Sequence, residues 1–539
     1  MNHNSPFEQE PFQYPESGSQ AVSVRDPSPL PKKPGRRLLF AGVAAVCIVA
    51  AAVGIKLAAS KSPKAVVETA IAKTFAAQKA ANQKYYNKIP ALRPIFEGRR
   101  DAHLTEFDLT VKAIEDTPYA TLASIILKDA GIRGQISNNP ADNTTAFEGS
   151  VYLRDATLAA INLYTSPEIV AGNLPTFSDT VVAFNPNTLT QDYPSSALNS
   201  RMPLSYEQVA MLQGLITGGI EYIGVMGNLS SEALLADITP IFKNALKNAE
   251  YSYDTPNNVY LVNIPQGNLK TAITDYYRYL YFESEFSPAM EKMLTPILAA
   301  ETGSSYEQAM NETLATMADS IQDMSTTITL VIDGGLIKSA QLSCLPTQSA
   351  SPEEAAIELM TFDYTIAAEL TTAKYRIELI DTSGQKQIIV LNTTGGMVDD
   401  AYTLDMVLGF TNGSTNLSMP LSVRVAADGS YACKANILAG LEGGIGFDCK
   451  GTVDYKEGVL RYSLPGSCVY AVFPELSSAS ATLVFDLNSS SSPLTGPVAA
   501  PEPRVSLLEM DAQQLSRLSR EYAVGTETLI GRLYSLLMS

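Results

Sequence analysis

Over much of this chain apolar residues recur at every second position, most sharply beyond residue 325. Ile328, Leu330 and Ile332 lead into Asp333-Gly334-Gly335, and Leu336, Ala340 and Leu342 return. Phe362, Tyr364 and Ile366 alternate with Asp363 and Thr365, and Tyr375, Ile377 and Leu379 with Lys374, Arg376 and Glu378. Tyr402, Leu404, Met406, Leu408 and Phe410 run into Asn412-Gly413, and Leu421, Val423 and Val425 into Asp428-Gly429. A period of two sends successive side chains to opposite faces of a strand. The turn residues tolerate the positive φ that tight hairpins require. The pattern predicts a long antiparallel meander with one apolar face and one polar face. Thr105–Ala113 and residues 131–185 predict further strands, with Asn138-Asn139-Pro140 as one of the turns.

Elsewhere the period lengthens to that of a helix. Ser62-Pro63 supplies an N-cap and a first-turn proline for a helix to about Tyr86. Ser205 and Gln208 form a capping box ahead of Val209, Leu212, Leu215, Ile216 and Ile220. Glu207, Gln208, Gln213 and Glu221 make this a buried core helix and not a membrane span. Helices at about 230–248, 266–283, 288–301 and 305–323 follow, interrupted by a hairpin near Asp254–Asn258. A last helix opens at Asp511, with Gln514 completing its capping box, and ends near Met538. Its stripe of Leu515, Leu518, Tyr522, Leu529 and Leu536 docks it on the sheet, with Gly525 as a weak point.

Leu38–Ile55 fits neither period, because it is an uncharged apolar run. At helical rise it spans about 27 Å, the thickness of a bilayer core. With Leu57–Ala59 it predicts a single transmembrane helix over 38–59. Lys32, Lys33, Arg36 and Arg37 precede it and place the N-terminus in the cytoplasm and the body outside, although Lys56, Lys61, Lys64 and Lys73 follow it. Residues 1–37 are rich in Pro, Ser, Gln and Glu and read as a disordered tail, too long for the lead of an ordinary signal peptide. The fold class expected is α+β: a transmembrane helix, large antiparallel sheet regions, a central helical block and a C-terminal helix packed on the sheet. Division falls at 62–350 and 351–539, or the two form one continuous domain over 62–539.

The net charge of −18 and a pI near 4.7 exclude a nucleic-acid partner. Histidine occurs only as His3 and His103, which leaves no basis for a histidine metal site and only one candidate for a catalytic triad. Ser383-Gly384-Gln385-Lys386 has the Ser-x-x-Lys spacing but lies in a hairpin turn. The glycines of 440–446 lack a following Lys-Ser/Thr and read as a hairpin. No catalytic, cofactor or metal-ligating set emerges. Cys433 and Cys449 share the apolar parity of their strands and can form a cross-strand disulfide, with Cys344 and Cys468 as the leftover pair; four buried thiols are the alternative. Tyr276, Tyr277, Tyr279, Tyr281, Phe282 and Phe286 either pack between helices and sheet or line a cavity.

A sheet closed by helices, preceded by an anchor, resembles in organisation the LolA/LppX-type extracytoplasmic lipid-binding superfamily over about residues 100–490. The stretch NLYTSPEIVAGNLPTFSDTVVAFNP and the basic-flanked anchor also resemble uncharacterised single-span surface proteins of Gram-positive bacteria. The resemblance implies a non-enzymatic, cell-membrane, single-pass protein of the envelope, holding a lipid or other apolar ligand between sheet and helices. Its partners would be the membrane and an envelope protein. A sensor or scaffold joining an envelope partner to a cytoplasmic one is the alternative, and a hydrolase the third.

Overall fold

The computed structural model describes residues 62–97, 101–117, 120–228, 231–320, 324–346, 356–367, 370–380, 385–412, 415–437, 444–473 and 479–538. Helices α1 (Pro63–Lys88) and α2 (Leu92–Glu97) precede β1 (His103–Glu115) and α3 (Ala120–Leu127). Then come β2 (Ala130–Asn139), β3 (Thr144–Leu153), β4 (Ala156–Thr165), β5 (Val170–Asn173) and β6 (Val181–Phe184). The short α4 (Leu189–Asp192) leads to α5 (Tyr206–Asn228) and α6 (Ser231–Ala245). A hairpin, β7 (Glu250–Asp254) and β8 (Val259–Ile264), separates these from α7 (Asn268–Phe282), α8 (Ser287–Thr302) and α9 (Tyr306–Ser320). The meander follows as β9 (Met324–Asp333), β10 (Leu336–Pro346), β11 (Ala356–Ala367), β12 (Leu370–Ile380), β13 (Lys386–Val398) and β14 (Ala401–Asn412). It continues through β15 (Thr415–Ala426), β16 (Ser430–Ile437), β17 (Gly444–Lys456), β18 (Val459–Phe473) and β19 (Ala479–Pro493). The chain ends with β20 (Arg504–Ser506) and α10 (Ala512–Met538).

All twenty strands join one sheet. Pairing runs from β7 in chain order to β19, which returns to pair with β1, and then onward to β6 and β20. Every pairing is antiparallel except β6 with β20, which is parallel, so the sheet is mixed. The sheet passes from β10 to β11 without a break, across the residue-350 boundary expected from sequence.

Helices α1, α6, α7 and α9 pack on one face of this sheet, over part of its width. Val67, Ala70 and Ile71 of α1 pack on Val262, Leu330, Ile337 and Ala340, and Thr74 accepts from the Ile337 N–H at 2.8 Å. Tyr85 meets the Tyr402 ring at 6.0 Å, and the turn from Ile89 to Leu92 seats on Met397, Val425, Val453 and Leu460. Thus α1 crosses the strands near their hairpin turns. Helices α6, α7 and α9 close over Leu342, Phe362, Ala373 and Ile377 of β10–β12.

Several expectations need correction. Among the described residues no helix is long and apolar enough to cross a membrane. The fold described is a large mixed sheet with helices, without the transmembrane element of the expected class, and it gives no support to single-pass placement in the cell membrane or to integral membrane partnership. Leu38–Ile55, with Lys32, Lys33, Arg36 and Arg37, lies outside the described residues. The physical reason is visible in α5, the most apolar long helix described. It carries charge at Glu221, which pairs with Lys292, and it lies against α8. A Cβ at Gly214 would sit 2.4 Å from the Lys292 carbonyl oxygen, so the two backbones touch. Nor is α5 a fully buried core helix, because Leu212, Leu215 and Ile223 are exposed. The antiparallel sheet expected becomes mixed because the 494–503 segment brings β20 alongside β6.

Candidate functional site

Register shows which apolar side chains share the helix-covered face and which of them the helices leave open. Ile377 of β12 is buried under the helices, and directly beside it stands Ile389 of β13, followed by Phe410 of β14 and Leu417 of β15. One step along, Tyr375 is followed by Leu391, Leu408 and Met419. The row through Leu421 and Ala435 continues to Phe447, Val469 and Leu483 across β15–β19. From β13 to β19 these positions belong to no helix-packed core cluster among the described residues; most are half-buried, Ala435 is buried, and Ile445 and Val469 are exposed. The strip is bounded by α7 and α9 on the β12 side and by the Ile89–Leu92 turn at the hairpin ends. An apolar sheet face without a helix against it is a surface that favours an apolar occupant.

The opposite face is polar over β17, β18, β19, β1, β2, β3 and β4, where it forms a concavity of about 950 Å³. One row reads Asp454, Arg461, Ser490, Glu106, Gln135, Glu148, Asn162. The groups answer one another across strands. Gln135 donates to Glu148 at 2.9 Å, Ser463 to Asn488 at 2.9 Å, and Tyr152 to Asp108 at 2.7 Å under the Arg133 guanidinium. This is the solvated side of an amphipathic sheet with its hydrogen bonds made internally.

No family model, curated protein or solved structure matches this chain. The functional reading therefore stands on the geometry alone.

The residues singled out from sequence are placed as follows. Tyr277, Tyr279 and Tyr281 are buried in the cluster between helices and sheet, with Tyr276 and Phe282 packed against it. Burial raises the Tyr276 and Tyr281 hydroxyls above their ordinary range, and Tyr279, which donates to Asp237, is raised further. Phe286 lies apart, its ring 5.7 Å from Tyr222. These rings pack against one another and against β10–β12 in the layer between sheet and helices. Cys433 and Cys449 stand directly opposite each other and are thiols. Cys344 is in the helix-covered core of β10, where burial pushes its thiol up to about 12. Cys468 is on β18, eight strands away, so those two are not brought together.

His103 opens β1 with Nδ1 2.8 Å from the Asp101 carbonyl oxygen. Ser383 and Gly384 lie outside the described residues, as do positions 440–443 of the glycine cluster. Lys386 is held by Glu378, which Arg376 also grips at 2.6 Å. The lysine, followed by the arginine, keeps the Glu378 carboxyl below the usual carboxylate range. No group of three or more His, Cys, Asp or Glu side chains fit to hold a metal ion occurs among the described residues. Sequence reasoning found the apolar parity of the strip but not that the helix-packed clusters stop short of it and leave it half-buried, since alternation reports a face and not what covers it.

Proposed function

We propose that this chain is a non-catalytic binding protein that holds the acyl or other hydrocarbon part of an amphiphile on the open apolar strip of β13–β19. One observation carries the reading: Ile389, Leu391, Leu408, Phe410, Met419 and Phe447 share the covered face, yet they are half-buried and belong to none of the helix-packed clusters. The strip crosses seven strands, about 29 Å between the outermost at the usual inter-strand spacing, more than the length of a common extended acyl chain. Its methionines, Met406 and Met419, adapt to occupants of varied shape. The engagement of Lys386 by Glu378 supports a reading without a serine–lysine nucleophile.

The test is binding of a fluorescent fatty acid, followed by native mass spectrometry of gently purified protein. Leu408→Gln should weaken probe binding by about tenfold, the loss of roughly 1.4 kcal/mol, while leaving the urea midpoint within experimental error. Undiminished binding in that variant, or no binding in the parent, removes the proposal.

A further inference from the structure

We propose that Cys433 and Cys449 are a modification site: a thiol pair that closes reversibly into a cross-strand disulfide and staples the β16–β17 hairpin beside the open apolar strip. The two residues are direct partners in the antiparallel ladder. Such partners have Cα atoms about 4.5–5.5 Å apart, inside the span a disulfide bridges. Both side chains lie on the sheet's apolar face, between Tyr431, which belongs to the packed cluster, and Ala435 with Phe447, which belong to the strip. Both are half-buried thiols, partly reachable by a small oxidant. No other described cysteine competes. Cys468 pairs with Asp448 and so projects from the other face, and Cys344 is eight strands distant.

A low-molecular-weight disulfide is a sufficient oxidant. One cysteine, as thiolate, attacks a sulfur of oxidised glutathione, expels one glutathione thiolate and leaves a mixed disulfide. The second protein thiolate attacks the protein-bound sulfur and expels the second glutathione. Two protein thiols are oxidised, one glutathione disulfide is reduced to two thiols, and the protons follow the leaving thiolates. Burial raises both protein thiols above their ordinary range, so exchange quickens as pH rises from 7 toward 9. The link closes the chain across the segment that joins β16 to β17 and restrains the unfolded state.

The experiment incubates the full chain with graded oxidised glutathione, quenches with acid, unfolds it, alkylates with N-ethylmaleimide and maps peptides by mass spectrometry. The expected result is joint loss of Cys433 and Cys449 alkylation, one linked peptide pair lighter by two hydrogens, and recovery on reduction. Cys344 and Cys468 should stay alkylatable. Cys433→Ser should abolish the link and leave Cys449 free or glutathionylated. The oxidised parent should unfold at higher urea than the reduced parent, and the variant should show no such shift. Full alkylation of both cysteines after oxidant, or a link from either to Cys468 or to a second chain, overturns the proposal. Ligand binding plays no part in these readouts, so their failure is distinct from failure of the binding strip.

Discussion

At the scale of single residues, local chemistry and tertiary contact pull Gly525 in opposite directions. A glycine inside a helix costs about 1 kcal/mol against alanine, so in the sequence it reads as a flaw in α10. In the structure it is the point where α10 touches the segment after β5: an added Cβ would lie 2.6 Å from the Phe177 Cα, and Phe177 stacks on Tyr522 at 5.9 Å. The obstacle is backbone and cannot swing aside. Overpacking of this kind costs about 1–3 kcal/mol, so Gly525→Ala should lower the urea midpoint despite its better helix propensity. A raised midpoint would mean that α10 is not seated on Phe177. Glu378 offers a pH handle. Its side chain is about 10% exposed and is gripped by Lys386 and Arg376, which hold its folded pKa below the unfolded value. Its contribution is therefore complete above the unfolded carboxylate pKa and is lost as pH falls through the folded one. Both partners are half-exposed, so Glu378→Gln should cost only about 1–2 kcal/mol at pH 7. The gap between parent and variant should shrink in urea melts taken progressively below pH 4.5.

At the scale of elements, caps carried most of what was legible. Ser205 and Gln208 make both arms of the capping box, at 3.3 and 2.9 Å, and Asp511 and Gln514 do the same at 2.7 and 2.9 Å. Ser305 makes one arm only, to the Gln308 N–H at 3.2 Å, while the Gln308 amide turns to Glu312. Three helices escaped the pattern, the one-turn α4 among them. Pro94 disfavours a helix interior, yet it sits in the first turn of α2, where a backbone N–H has no intrahelical acceptor to lose. The run Ala120–Leu127 is too uniformly apolar to show a period, and α3 leaves Leu122 and Ile125 exposed. The junction of α1 and α2 is the strongest grip of the helices on the meander. Leu92 is 1% exposed against Met397, Val425 and Val453. Leu92→Ala should cost about 3 kcal/mol, read as a lower denaturation midpoint and as faster amide exchange in β13–β18. A cost below about 1 kcal/mol would show that the turn does not hold the sheet.

At the scale of the whole molecule, the alternation of apolar and polar positions determined that there would be a broad sheet with two unlike faces, because side-chain direction along a strand is a local property. The helical periods and caps determined where most helices begin and end for the same reason. The sequence also carries Cys433 and Cys449 at equal parity, but only strand register sets them opposite each other. Tertiary structure alone decided the rest. The return of β19 to pair with β1 joins two β-rich regions nearly four hundred residues apart in sequence into one sheet, through backbone hydrogen bonds that any strand can make. The aromatic set from Tyr276 to Phe282 became core because α6 and α9 close over it, not because of its own spacing. Which part of the apolar face stays open depends on where α1 and the helical block come to rest. That is settled by packing between segments far apart in the chain, which no local pattern records.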